Sequence, residues 1–467
     1  MMINRRNLIQ TLGFGTLAFS IPASLQAGKD ERRQPNIILC MTDDQGWGDV
    51  GYNGHPILKT PHLDAISREG IRFERWYSGA PVCSPTRGSC LTGRHPYRYG
   101  IYFANEGFMK PQEFTIAEAL KTFGYTTGHF GKWHLGTLNT KIKESNRGGP
   151  LGKDDFSPPW LNGFDICFST EAKVPTYNPM QKPGTNQPYG TYYWTGPDQQ
   201  EKDNLDGDDS RIIMDRAIPF IENAVKQDKP FFTVIWFHAP HLPVVAGTRY
   251  RAMYQDQNEA AQHYYGCISA MDEQIGRLRD KLKSLNAYHD TMMWFCSDNG
   301  PEGKVKNDHN GSAKYLRGRK RSLYEGGIRV PALLTYPAMI RQPRIINTPC
   351  STSDYLPTVL DILGCQREGQ PEPMDGVSLK PLLKGQTKQR PSPIAFQSID
   401  QLALIDNQYK IYRSNNGKSF ELYDILADPG EKNDISQQKP QIVEKMKKHL
   451  FEWRESCQQS DSGMDYK

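Results

Sequence analysis

The run NIILCM (residues 36–41), stopped by Thr42-Asp43-Asp44, decides the fold. Five apolar residues in a row after Asn36, with none of the three-or-four spacing of an amphipathic helix, read as a strand covered on both faces. Three further runs repeat the pattern: YTTGHF (125–130) before Gly131-Lys132, FFTVIWF (231–237) before His238, and TMMWFC (291–296) before Ser297-Asp298-Asn299-Gly300. Each reads as a buried strand that ends abruptly in polar chemistry. Helical patterns lie between them, so the fold class is α/β, a mostly parallel mixed sheet flanked by helices.

Thr60-Pro61 and Gly70 bracket a short helix with Leu63 and Ile66 inward. Thr115 and Glu118 have capping-box spacing ahead of Leu120 and Phe123. Between Ala260 and Leu285, Tyr264, Ile268, Met271, Ile275, Leu278 and Leu282 recur every three or four residues, the stripe of a long amphipathic helix. Residues 139–210 are rich in Pro, Gly, Asn and Asp and read as a long excursion over one end of the sheet. Beyond residue 390 the period shortens to two in QLALID, QYKIYR and SFELYDI, with Asn415-Asn416-Gly417 as a hairpin turn. Ile442, Met446, Leu450 and Trp453 then share one helical face. The expected organisation is a catalytic α/β domain over 35–390 and a smaller C-terminal unit over 391–467, an antiparallel sheet plus helix.

The 467 residues are 37% hydrophobic and 23% charged, enough for a large core, and the formal net charge of +5 is too mild and too spread for a nucleic-acid binder. Residues 1–27 have a basic start at Arg5-Arg6, an apolar stretch from Leu8 to Ile21 and small residues near Ala27, the parts of an export signal, and 28–34 form a linker. The apolar stretch is short for a bilayer span, and no later segment is long enough, so no stable membrane span is expected. A periplasmic or extracellular location follows, with a retained anchor as the competing reading. Nine cysteines without a CxxC pair indicate neither a zinc ribbon nor a dense disulfide framework. Cys40, Cys267 and Cys296 sit in apolar runs and read as small buried side chains.

In open α/β sheets, ligands bind beyond the carboxyl ends of the strands. Asp43, Asp44, Asp298 and Asn299 arrive there with three carboxylates and an amide oxygen, hard donors suited to Ca²⁺ or, less well, Mg²⁺. Either pair alone would pass for a cap or a turn; both together, each after an apolar strand, point to a metal site. Gly46-Trp47-Gly48-Asp49-Val50-Gly51 matches GxGxxG but leads into Tyr52-Asn53-Gly54-His55-Pro56, which is turn chemistry and no helix. Gly131-Lys132 lacks the spacing of a phosphate-binding loop. His238 and His241 lack the further partners that zinc requires.

The segment Cys83-Ser84-Pro85-Thr86-Arg87-Gly88-Ser89-Cys90-Leu91-Thr92-Gly93-Arg94 closely resembles the signature of the formylglycine-dependent sulfatases. Gly131-Lys132-Trp133-His134, His238-Ala239-Pro240-His241, Ser297-Asp298-Asn299-Gly300 and Lys320 ahead of Tyr324-Glu325-Gly326-Gly327 extend the resemblance, which runs from Pro35 to Asp428-Pro429-Gly430-Glu431. It implies an alkaline-phosphatase-like fold and sulfate-ester hydrolysis. It also implies oxidation of Cys83 to formylglycine by a maturation enzyme, with position 83 beside a metal held by Asp43, Asp44, Asp298 and Asn299. By the same resemblance Lys132 and Lys320 contact sulfate, His134 assists the hydrated aldehyde, and His241 with Lys320 protonates the leaving alcohol. Arg87, four residues after the nucleophile, suits holding it in place. His238 has two readings, a satisfied structural histidine or a wall of the substrate pocket.

The residue types also make sense unnamed, because a sulfate ester needs its negative charge neutralised in a water-poor pocket, which a divalent cation, Arg87, Lys132 and Lys320 can do. A cysteine phosphatase fits poorly, since Pro85 removes an N–H from the three-residue gap between Cys83 and Arg87. Two alternatives stay open: a phosphoester hydrolase on the same fold, and a catalytically inactive glycan-binding relative. The expected substrate is a sulfated saccharide carrying an O-sulfate, of galactose or N-acetylgalactosamine type, as the resemblance to exported bacterial polysaccharide sulfatases implies. Tyr177, Tyr189, Tyr192, Tyr193 and Trp194 would stack sugar rings or pack down their own loop. Arg249, Arg251, Lys304, Lys306, Arg317, Arg319 and Arg321 would attract a polyanion or form an ordinary solvated face.

Overall fold

Strand β1 (Asn36–Thr42) is buried along its whole length. Its alternate side chains enter different cores: Ile37, Leu39 and Met41 join Trp76, Trp236 and Trp294, while Ile38 and Cys40 join Ile268, Met271 and Ile275. The two-residue period of the pleat thus places one apolar run against helices on both faces. The computed structural model describes residues 34–144, 149–303, 311–365, 369–414 and 417–466. The export signal, nearly all of the linker, Asn415-Asn416, Lys304 and Lys306 therefore lie outside the described residues.

Among the described residues, eleven strands form one sheet. Its order is β10 (Arg344–Ile346), β2 (Ile71–Tyr77), β9 (Arg329–Thr335), β8 (Thr291–Ser297), β1, β7 (Phe231–Trp236), β3 (Thr126–Lys132), β4 (Ile166–Thr170), β5 (Tyr193–Gly196) and β6 (Gln199–Gln200), with β11 (Cys350–Ser351) beside β2. The five central strands from β8 to β4 run parallel, and β9 enters antiparallel. Register levels their ends: Thr42 pairs with Ser297, Met41 and Gly131 both pair with Trp236, and Lys132 pairs with Thr170. Residues that follow these positions must emerge along one edge.

The helices begin where their caps lie. Thr115 and Glu118 form the expected reciprocal capping box on the helix Ile116–Lys121. The long stripe folds as the helix Glu259–Ser284, capped by Asn258. The excursion over 139–210 departs from expectation, because it contributes β4 and β5 and widens the sheet. Its signal is weak, since β4 has only five residues and Ile166 is exposed at the sheet end. Within it, Phe168 stacks on Tyr193 with centroids 4.0 Å apart, and Trp194 donates its indole N–H to Glu144 at 2.8 Å. These aromatics pack down their own loop.

The strands β12 (Ile394–Ser398), β13 (Gln401–Ile405), β14 (Tyr409–Arg413) and β15 (Glu421–Asp424) form the small antiparallel sheet. One face packs Phe396, Ala403, Ile405 and Tyr412 against Tyr77, Leu323 and Ile328. The other packs Leu402, Leu404, Ile411 and Leu422 against Val443, Met446 and Leu450 of the helix Pro440–Asp461. Beneath it lies a buried charge cluster: the Lys410 ammonium is 3.0 Å from Glu325 and 2.8 Å from Glu431, with all three side chains fully buried. This cluster anchors the segment that follows Lys320. No disulfide joins any of the nine cysteines, and eight of them are buried.

Candidate active site

Asp43 and Asp44 leave the end of β1, with Asp44 turned by a left-handed backbone at φ 67. The Asp44 N–H donates to Asp298 Oδ1 at 3.1 Å, and the Asp298 N–H donates to the Thr42 carbonyl at 3.0 Å, so the two acidic turns lock together. Asn299 adds its amide to Asp44 Oδ1 at 2.7 Å. Cations converge on these acids. Lys132, the last residue of β3, is 2.6 Å from Asp43, and Lys320 is 2.6 Å from Asp44. Arg87 is 2.7 Å from Asp298, 3.6 Å from Asp43 and 3.0 Å from the Lys132 carbonyl, and its guanidinium lies over the Trp236 ring at 5.1 Å.

Cys83 opens the helix Cys83–Thr92, fully buried along its length, and this is what brings Arg87 to the same centre one turn later. Among the described residues, potential ligand atoms of Asp43, Asp44, Cys83 and His241 all lie within 4.8 Å of one another. His241 Nδ1 is 2.6 Å from the Leu242 carbonyl, which only accepts, so Nδ1 carries the hydrogen and Nε2 faces Asp44 at 3.6 Å. The buried oxygens Asp43 Oδ1 and Asn299 Oδ1 have no hydrogen-bond partner. Orphaned acceptors beside carboxylates and position 83 are what a hard divalent cation would satisfy, so the donor set fits Ca²⁺ or Mg²⁺.

The electrostatics follow from burial among many charges. Burial alone would raise the Asp43 carboxyl, but the cations Lys132, Arg87 and Lys320 outweigh it and hold it well below the carboxylate range. Asp298 is pushed up to about 7, by burial first and then by the charge of Asp43. Burial raises the Cys83 thiol to about 11 despite Lys132 and Lys320, so an unmodified Cys83 is neutral near pH 7. That disfavours a thiolate nucleophile and with it the cysteine-phosphatase reading. Burial lowers His241 to about 4 against the pull of Asp43 and Asp44, leaving a neutral ring in the free site. For Lys320, burial is overcome by the carboxylates of Asp44 and Asp43, and its ammonium is held above the usual lysine range.

The site opens into a cavity of about 670 Å³, lined by Cys83, Lys132, His134, His241 and Lys320. Sequence reasoning missed Phe103, Ala104, Asn105 and Glu302 in its wall, which sit on loops without a chemical motif. Ala172 and Lys173, in the excursion, also reach it, and among the described members of the basic set Arg321 alone does so. Arg321 pairs with Glu302, whose carboxyl is drawn down to about 2 because that hydrogen bond and neighbouring cations overcome burial. The other described members are engaged elsewhere: Arg249 with Glu273, Arg251 with Glu259, Arg317 over Tyr324, and Arg319 on the Glu302 and Gly311 carbonyls. Phe103 is the aromatic residue in the wall; none of the excursion tyrosines is.

His238 is apart from this group. Its Nδ1 meets Asp209 at 2.8 Å and its Nε2 meets Thr170 at 2.8 Å, with Tyr193 donating to the same Asp209 at 2.5 Å. Fully buried and occupied at both nitrogens, it does not line the cavity, and the geometry favours the structural reading over the pocket wall. It anchors the turn that carries His241.

Residues 35–365 match the family model described as Sulfatase. The chain belongs to the sulfatase family. Residues 318–456 of this sulfatase also match the C-terminal region of N-sulphoglucosamine sulphohydrolase. It is 30% identical over 444 residues to the N-acetylgalactosamine-6-sulfatase of Mus musculus, covering 89% of this chain and 79% of the relative. Over 437 residues it is 29% identical to the ulvan-active sulfatase of Formosa agariphila, covering 87% and 78%. The crystal structure of Ps i-CgsB with k-i-k-neocarrahexaose superposes with a TM-score of 0.77 at 26% identity, over 90% of this chain and 92% of that one. The sulfatase is therefore a sulfuric ester hydrolase with the alkaline-phosphatase-like architecture. Among the described residues no helix is long and apolar enough to cross a membrane.

Proposed function

We propose that this sulfatase hydrolyses a carbohydrate O-sulfate, of galactose or N-acetylgalactosamine type, at the cavity floored by position 83. The observation that carries the reading is the convergence of Cys83 with Asp43, Asp44 and His241 within 4.8 Å, ringed by Lys132, Lys320 and Arg87. Asp43, Asp44, Asp298, Asn299 and position 83 would hold the cation, Ca²⁺ ahead of Mg²⁺, because Mg²⁺ parts reluctantly with its waters. Cation and formylglycine would supply, when present, a polarised sulfate oxygen and a nucleophilic hydroxyl on a carbon able to release sulfate afterwards.

The chain's own groups then have distinct tasks. Lys132 and Lys320 neutralise the sulfate oxygens, and Arg87 holds Asp298 and the start of the helix in register. His134 accepts a proton at the reacting centre. His241 presents Nε2 toward the leaving oxygen, and the negative charge of a bound sulfate ester raises its affinity for the proton it must donate, with Lys320 assisting. The names of the relatives support a sugar substrate, as does a cavity far larger than a sulfate group with Arg321, Lys173 and Glu302 at hand for a saccharide. Residues 1–27 support export to the periplasm or beyond, and a formylglycine-generating enzyme is the maturation partner.

Mass spectrometry of the Cys83 peptide from active enzyme tests the modification, the aldehyde being roughly 18 Da lighter than the thiol. Chelation followed by readdition of Ca²⁺ or Mg²⁺ tests the metal, with Ca²⁺ expected to restore more turnover. A panel of defined sulfated saccharides beside phosphate esters tests the substrate; turnover of phosphate esters alone overturns the reading.

A further inference from the structure

Asn105 stands in the cavity wall with its side-chain Oδ1 2.7 Å from His134 Nε2. An amide oxygen only accepts, so the hydrogen of that bond belongs to Nε2. Asn105 also has a backbone link to the nucleophile's helix, its N–H donating to Ser84 Oγ at 3.3 Å, one residue from Cys83. Both partners hold left-handed backbones, φ 64 at Asn105 and 61 at His134, a conformation uncommon for non-glycine residues and tolerated better by Asn than by His.

The surrounding chain enforces this pairing. The His134 N–H donates to the Glu171 carbonyl at 2.9 Å, and the Met109 N–H donates to the Leu135 carbonyl at 2.7 Å, stitching the Asn105 loop to the turn after β3. Gly107 (φ 68) closes the loop where a Cβ would lie 2.0 Å from the Gly100 carbonyl, an approach that only glycine permits. The loop is thus built to a fixed distance from His134.

We infer that Asn105 is a positioning residue for His134, holding the imidazole as the tautomer with hydrogen on Nε2 and so leaving Nδ1 as the proton-accepting nitrogen. The inference rests on the proposed task of His134. A proton released at the reacting centre is accepted on Nδ1, giving an imidazolium whose Nε2–H remains on Asn105. Without Asn105 the neutral ring divides between two tautomers, one of which already carries hydrogen on Nδ1 and cannot accept there.

Long-range ¹⁵N NMR of the matured enzyme labelled at histidine, with Asn105→Leu, Asn105→Asp and His134→Gln, tests this. The His134→Gln spectrum identifies the resonances. The wild type is expected to show neutral His134 protonated on Nε2. Asn105→Leu keeps the bulk and loses the acceptor, so it should mix the tautomers and lower kcat on an aryl sulfate about 10- to 100-fold with little change in KM. Asn105→Asp keeps an acceptor oxygen and should retain the tautomer and most of kcat, its added charge appearing in KM. Hydrogen on Nδ1 in the wild type, wild-type kcat in Asn105→Leu, or lost kcat with an unchanged tautomer each overturns the inference. Wild-type kcat in His134→Gln would remove the reading of His134 instead, without moving the tautomer measurement.

Discussion

Replacing Arg87 by lysine keeps a positive charge at the centre and removes the fork that joins its parts. Arg87 contacts Asp298 at 2.7 Å and the Lys132 carbonyl at 3.0 Å, lies 3.6 Å from Asp43 and sits over Trp236. A lysine ammonium is a compact charge on a flexible stem and cannot serve Asp298 and the Lys132 carbonyl with the same planar geometry. The loss is about one hydrogen bond to a charged group, roughly 1.5–3 kcal/mol, much of it the cost of a buried partner left unsatisfied. Arg87→Met removes the charge as well and leaves Asp298 without its ion-pair partner, a change that typically costs about 3–5 kcal/mol. Turnover should suffer even in the lysine variant, because a displacement of ~1 Å at a reacting centre costs about 10²-fold. Urea unfolding midpoints and steady-state kinetics on an aryl sulfate measure both effects. The expected order of stability is wild type, Arg87→Lys, Arg87→Met, with kcat already reduced in the first variant. An Arg87→Lys enzyme with wild-type midpoint and turnover would refute the reasoning, as would equal stability of the two variants.

Lys410→Met should cost about 3–5 kcal/mol, because it strands Glu325 and Glu431 in a fully buried cluster, and adding Glu431→Gln should recover part of that loss; denaturant titration decides. Arg321→Ala should raise KM for saccharides with a second anionic group and leave kcat on a small aryl sulfate nearly unchanged, since Arg321 pairs with Glu302 at the cavity wall; equal KM changes for both substrates would count against it. Asp272, which accepts the His62 and Leu63 N–H groups, is raised by burial to about 7 in the folded chain. Its contribution is complete below the ordinary carboxylate pKa of ~3.9 and disappears as pH rises through about 7. Wild type should therefore lose stability relative to Asp272→Asn by at least about 1 kcal/mol between pH 5 and 8, and a constant difference would contradict the assignment.

The four apolar runs and the polar residues that stop them were readable because strand burial is a local property: a side chain in NIILCM is apolar whatever it finally touches. Asp43, Asp44, Asp298 and Asn299 could be placed at strand ends for the same reason, and the Cys83–Arg94 segment carried a resemblance specific enough to name a chemistry. β4 was not legible, since five residues with one exposed isoleucine carry too little pattern to stand out from a loop rich in Pro and Gly. Asn105 and Glu302 were equally silent, as neither belongs to a motif and each matters only through what it faces.

By itself, then, the sequence determined which segments must be buried, where they end, and which side chains at those ends can bear charge and bind a cation. Tertiary structure alone decided the sheet order that sets Asp44 against Asp298, the two occupied nitrogens that settle His238 in the interior, and the loop that brings Asn105 to His134. The physical reason is range. Burial and turn preferences act over a few neighbouring residues, whereas hydrogen bonds and ion pairs between loops far apart in the chain depend on how the whole sheet and its helices close around them.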